Sequence, residues 1–207
     1  MNDMSMAITS SRQARCSSPT WTKLGWELYI PTEHAADVYD RLVEAGADHG
    51  LRHAGLQALS SLRLEKAYRD YGHDIDNMDT PIEAGLVFAV KLDTGRDFIG
   101  RDALARQKEQ GVPQRRMLQF LLEDPEPLLH HGEVLFRDGE PLGYIRAGAY
   151  GYTLGAAVGL GMVEANERVT KRFVAAGRWE IEIAGTRYGA RASLRPLYDP
   201  DLTRVKL

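Results

Sequence analysis

The sequence predicts an α+β protein in which an incomplete α/β segment is followed by a C-terminal antiparallel β-barrel. Three observations lead there. Helical apolar spacing is confined to the first half, short strand-like segments punctuated by turn residues begin near Gln114, and strict two-residue alternation appears towards the C-terminus. At 207 residues the chain can bury a substantial core, as one large domain or two small ones.

Residues 1–23 are polar and small, without an apolar run that would serve a secretory signal or a membrane span, and read as an unstructured tail. From Leu24, LGWELYIP reads as a strand stopped by Pro31. Thr32 is then the expected N-cap of a helix that carries Ala35, Val38, Tyr39, Leu42 and Val43 on one face and ends at Gly46. A second helix, rich in Ala, Leu, Glu and Lys, is expected from about Ala54 to Tyr68, and both helices are expected to pack on the first strand. EAGLVFAVKL reads as strand or buried loop, and RDALARQKEQG as a short helix closed by Gly111. A boundary near Val112 and Pro113 separates an α+β part, 24–112, from a barrel, 113–207.

The second part is built of strands. RMLQFLLE is one, EVLFR and PLGYIRAG flank the turn signal Asp138-Gly139, and AAVGLGMV is another. In RWEIEI, Trp179, Ile181 and Ile183 face one side. Across Gly185 the pattern continues with Tyr188, Ala190, Ala192 and Leu194. Five or six such strands around one core predict a barrel or a two-sheet roll.

Composition excludes several functions. The formal net charge of −3 gives no basis for a broad nucleic-acid or anionic-membrane surface. A single cysteine, Cys16, excludes an internal disulfide framework and a multi-cysteine zinc site, and fits a cytoplasmic protein. No glycine-rich phosphate loop, HExxH or GxSxG is present. His130 and His131 are adjacent, and neighbours on an extended chain point to opposite faces, which argues against one shared metal. LRLEKAYRDYGHDID gathers Arg63, Glu65, Lys66, Tyr68 and Arg69 beside acids and aromatics where a helix ends. Such a set suits a planar heterocycle carrying a carboxylate; equally, the charges pair or are solvated and the tyrosines edge the core.

GLQALSSLRLEKAYRDYGHDID, followed by TPIEAGLVFAVKLD, RDFIGRDAL, YGYTLGAAVGLGMV and RPLYDP, resembles the ordered motif series of the glycine-cleavage T-protein (aminomethyltransferase) family. The ALSSLRLEKAYRDYG wording is similar to the branch fused to dimethylglycine and sarcosine dehydrogenases, and the similarity runs from about Leu24 to the C-terminus. The resemblance implies the folate-binding aminomethyltransferase fold, with tetrahydrofolate as cofactor and a small amine-derived one-carbon donor. It implies that Tyr68 contacts folate, while Arg63 and Glu65 match motif positions with a structural role. The family's key carboxylate lies in an N-terminal portion with no assignable counterpart here. Thr22-Lys23 stand where a Gly-Glu pair binds the pterin, and Leu59 where one branch carries a folate-associated arginine. Three readings follow: one-carbon transfer, with or without an N-terminal partner half or flavin dehydrogenase subunit; a non-catalytic folate-binding or assembly module; and an inactive gene fragment.

Overall fold

The computed structural model describes residues 28–203. The expected tail, Cys16, Thr22 and Lys23 lie outside the described residues, as do residues 24–27 of the expected first strand; residues 28–31 form no strand. Four helices, α1 (Ala35–Gly46), α2 (Leu56–Glu65), α3 (Arg101–Glu109) and α4 (Lys171–Ala176), accompany six strands among these residues. The strands are β1 (Arg115–Leu122), β2 (Val134–Arg137), β3 (Glu140–Gly151), β4 (Ala156–Glu164), β5 (Trp179–Ile183) and β6 (Thr186–Ser193).

All six strands close into one antiparallel barrel in the order β1-β4-β3-β2-β5-β6, with β6 returning to β1. Closure leaves no open sheet edge. The β2–β3 hairpin turns at Asp138 and Gly139, both in the left-handed region with φ of 54° and 89°, as the twist of a tight hairpin demands. Inside lie Leu118, Phe120, Leu135, Ile145, Ile181 and Trp179. The Trp179 ring meets Phe120 and Phe173 edge-on, and its Nε1 donates to the Val174 carbonyl at 2.9 Å. Phe173 and Val174 belong to α4, a helix the sequence reading omitted. It is N-capped by Thr170, whose hydroxyl oxygen accepts from the Phe173 amide.

β4 does not alternate because eight of its nine residues are buried. Its second face is covered by α2: Met117, Val158, Leu160 and Met162 on the outside of the barrel pack against Leu64 and Ala67. Ser61 adds a hydrogen bond from its hydroxyl to the Tyr150 carbonyl at 2.6 Å. The second helix therefore rests on the barrel; most of the strand on which it was expected to pack lies outside the described residues.

Three other expectations are corrected. Thr32 starts a short 3-10 turn, and the residue before α1 is His34, without a side-chain cap, whereas the helix does end at Gly46 as expected, with a further 3-10 turn running on to left-handed Gly50. The apolar face of α1 has no buried residue, and Tyr39 stacks on His53 with a 2.9 Å hydrogen bond instead of entering a core. EAGLVFAVKL forms turns and a 3-10 helix at Val87–Ala89, with Phe88 exposed, because left-handed Gly85 breaks the run and only Ala84 and Leu92 are deeply buried.

An acid clamp joins the irregular 70–83 segment to the barrel. The Asp79 side chain is 1% exposed and accepts from Arg115 of β1 and Arg146 of β3, each at 2.5 Å, and from the Asp76 amide at 3.0 Å. Burial alone would raise its pKa. The Asp76 amide and the two guanidinium groups outweigh that and hold it below the ordinary aspartate value. Gly148 of β3 allows a second close approach, since a Cβ there would stand 2.5 Å from the Leu129 carbonyl carbon.

Two outcomes follow. Asp79→Asn should cost about 2 kcal/mol near neutral pH. Because the folded-state pKa is depressed, this stabilisation is complete above the unfolded value and fades as pH falls through the folded one, so wild type and variant should converge in acid. Urea denaturation at stepped pH measures the gap; a constant gap excludes this role for Asp79. Gly148→Ala should destabilise by roughly 2 kcal/mol, because backbone must move to admit the methyl group; an unchanged melting temperature refutes the close approach.

Candidate functional site

The C-terminus of α2 sets the geometry. The Ala67 amide donates to the Leu64 carbonyl and the Tyr68 amide to the Arg63 carbonyl, both at 2.9 Å, which is a Schellman ending. Ala67 fills its left-handed position at φ 53°, a conformation that glycine usually supplies, and its methyl group is buried against the barrel. The helix thus stops at Glu65, three residues short of the expected Tyr68.

Most of the charged side chains that looked like ligand contacts are engaged by the fold. Arg63 grips Asp74 through two nitrogens at 2.5 and 3.1 Å, and its Nη1 also donates to the Tyr68 carbonyl. Glu65 Oε1 accepts from the Thr153 and Leu154 amides at 2.6 and 3.0 Å, capping the β3–β4 turn. Lys66, 2% exposed, pairs with Asp199 at 2.7 Å, so it is not solvated. Gln119 of β1 ties these together. Its amide nitrogen donates to the Leu64 and Glu65 carbonyls, and its oxygen accepts from the Leu197 amide. Asp74, Asp79 and Gln119 were missed in the sequence, and no local signal reveals them, because their partners lie on other elements.

Tyr68 is half-buried. Its backbone is fixed by Arg63, and among the described residues its hydroxyl has no hydrogen-bond partner. Leu59 is half-buried on α2. His130 and His131 are both exposed and open, with His73 and Arg146, onto a shallow depression. Among the described residues no group of three or more His, Cys, Asp or Glu side chains is placed to hold a metal ion.

Arg69, next to Tyr68, is half-buried and donates through Nε to the Ala84 carbonyl at 3.0 Å and through Nη1 to the Ala67 carbonyl. Its Nη2 lies 3.2 Å from where a Cβ on Gly85 would be. Gly85 lines a cleft of about 390 Å³ between the 82–88 turns, α3 and the 111–113 linker. Ile82, Val87, Phe88, Val112 and Pro113 wall this cleft, and Lys108 and Arg116 are its charged lining. Arg116 donates to the Val169 carbonyl at 3.2 Å. Neither arginine has a carboxylate in ion-pair contact among the described residues. Burial pushes the Arg69 pKa down to about 10, against the pull of Asp74 and with a further push from Arg116; burial also lowers Arg116. This arrangement can hold a partly apolar anion.

Two models of one family match in order along the chain: the GCVT N-terminal domain over residues 3–94, and the glycine cleavage T-protein C-terminal barrel domain over residues 115–199. The chain is 41% identical over 184 residues to the 4-methylaminobutanoate oxidase (formaldehyde-forming) of Paenarthrobacter nicotinovorans, covering 89% of this chain and 22% of that protein. It is 38% identical over 186 residues to human mitochondrial sarcosine dehydrogenase, covering 89% and 20%. Its fold matches the crystal structure of the glycine cleavage system aminomethyltransferase T from Bartonella henselae with a TM-score of 0.66 at 26% identity, over 80% of this chain and 44% of the other. The chain therefore spans about a fifth of the two curated relatives. Matched along both halves, it belongs to the glycine cleavage T-protein (aminomethyltransferase) family, and its similarity extends to the matching parts of sarcosine dehydrogenase and 4-methylaminobutanoate oxidase.

Proposed function

We propose that this chain takes part in one-carbon transfer to tetrahydrofolate in glycine, sarcosine or dimethylglycine metabolism, by holding the folate. The observation that carries the reading is Tyr68. At the motif position that the family resemblance assigns to folate contact, it offers a half-buried ring and an unpartnered hydroxyl on a backbone locked by Arg63. When bound, tetrahydrofolate supplies the ring amines that accept the one-carbon unit. Tyr68 would help hold it, its ring offering apolar surface to a flat heterocycle and its hydroxyl a hydrogen-bond partner. The buried carboxylates of this region are already engaged: Glu65 by two amides, Asp74 by Arg63, and Asp79 by two arginines. They orient the site without moving a proton. Acid–base work falls to the carboxylate that the resemblance assigns to an N-terminal portion.

A second reading, an assembly module, rests on exposed apolar side chains. Tyr39 and Leu42 on α1, Leu56 and Leu62 on α2, and Phe88 and Ile99 beyond them all face solvent. Exposed apolar surface of this kind marks a site of protein contact, here with an N-terminal half or a flavin dehydrogenase subunit.

Calorimetric titration with tetrahydrofolate, after light scattering has fixed the mass in solution, tests the first reading. Saturable binding in the micromolar range is expected. Tyr68→Ala should weaken it about tenfold with the melting temperature held, and Tyr68→Phe should lose only the hydroxyl's share. Unchanged affinity in a folded Tyr68→Ala removes the residue assignment. No binding by folded wild type favours the assembly reading.

A further inference from the structure

We infer that the apolar face of α1 is covered by this chain's own residues 24–30, which rests on the assembly reading and narrows it, because the chain then fills part of that surface itself. Among the described elements the packing of α1 is against the 3-10 turns that flank it, Thr32–His34 and Ala47–His49, and the helix buries no residue. Yet it is amphipathic. Ala35, Val38, Tyr39, Leu42 and Val43 share one face, and Asp37, Asp40 and Glu44 lie on the other. A helix of 12 residues is marginal in water on its own, and most helical stability in proteins comes from packing such a face. Such a face requires cover.

Three occupants compete for it: the segment that precedes α1, a second copy of the chain, and a separate partner. Residues 24–27 lie outside the described residues, and their sequence favours the first. In LGWELYI, Leu24, Trp26, Leu28 and Ile30 alternate with Gly25, Glu27 and Tyr29, so an extended chain gathers four apolar side chains on one side. The described end of this run keeps that parity: Ile30 is half-buried, and Tyr29 beside it is exposed. An extended run of this length spans about 23 Å, against about 18 Å for α1, so the one reaches along the whole of the other.

Connectivity favours the same occupant. Pro31 and the turn Thr32–His34 join Ile30 to Ala35, and so short a connection places consecutive elements side by side. The link also holds the segment near α1 at an effective concentration of about millimolar, which a second copy or a free partner must exceed to displace it. No other described element competes for the segment. The closed barrel has no open edge for it to join, and α2 already rests on that barrel through Leu64.

The test follows Trp26 by fluorescence in the full chain carrying Trp21→Phe, where the one other tryptophan, Trp179, is buried in the barrel core. Trp26 should emit as a buried ring and resist acrylamide quenching equally at every concentration, in a chain that light scattering shows to be a monomer. Leu42→Ser should abolish that protection while the melting of the barrel, followed through Trp179, is kept. Asp40→Ser, on the opposite face of α1, should leave the protection intact. Protection that rises with concentration alongside a dimer mass gives the face to a second copy and overturns the inference. A Trp26 quenched freely throughout, protection that survives Leu42→Ser, or equal loss in both variants overturns it too. The assembly reading fails separately. A freely quenched Trp26 leaves it the whole apolar surface, whereas a protected Trp26 in a chain that stays monomeric when mixed with an aminomethyltransferase N-terminal half removes it and leaves the cover in place.

Discussion

Arg63, Glu65 and Lys66, three charges within four residues at the end of α2, each finish on a different part of the molecule. Arg63 holds Asp74 of the following loop, Glu65 holds the β3–β4 turn through two amides, and Lys66 holds Asp199 near the C-terminal end of the described chain. All three side chains are almost wholly buried. Desolvating such charges costs several kcal/mol per ion, and attraction offsets that only where geometry is good and the remaining donors and acceptors are satisfied. Here they are: the Arg63 contact is two-pronged, the Glu65 carboxylate accepts two amides, and Gln119 bonds the carbonyls of Leu64 and Glu65. The result is a helix end fixed on the barrel from several directions. Tyr68 and Arg69 follow directly from this fixed end.

This dependence explains what could be read from the sequence and what could not. The barrel was legible, because period-two alternation in RWEIEI and its partner, and the Asp138-Gly139 turn, report local backbone geometry directly. β4 gave a weaker signal, since α2 buries its second face and removes the alternation. The first half was legible only where helix propensity ran alone. Apolar spacing placed α1 correctly but not its environment, because periodicity describes one face and does not say what covers it. EAGLVFAVKL had a strand-like composition, and Gly85 at a positive φ broke it into turns.

The site was legible in the same partial way. Tyr68 could be picked out by its place in an ordered motif, and the structure leaves its hydroxyl unpartnered among the described residues. The charged residues around it could not be sorted into structural and ligand-facing sets, because the sorting depends on partners 11 to 133 positions away, as Arg63 to Asp74 and Lys66 to Asp199 show. No pattern in the neighbouring residues encodes such pairings. Arg69 and Arg63 look alike in the string LRLEKAYRDYG, yet one meets an acid and the other meets carbonyls.

That difference has a physical direction. A fold that buries cations for its own stability gains by burying their acids with them, because an unpaired charge in a poorly solvated place is a net cost. Arg63, Arg115, Arg146 and Lys66 follow that rule, each with a carboxylate within 2.7 Å. Arg69 and Arg116 make no direct ion pair among the described residues, although Asp74 acts on Arg69 more strongly than Arg116 repels it. Carbonyl contacts alone would be served as well by a neutral donor, which would avoid the repulsion. Arg116 lines an apolar cleft and Arg69 stands beside Gly85 of that lining, so neither is fixed by the direct acid pairing that holds Arg63, Arg115, Arg146 and Lys66 in place.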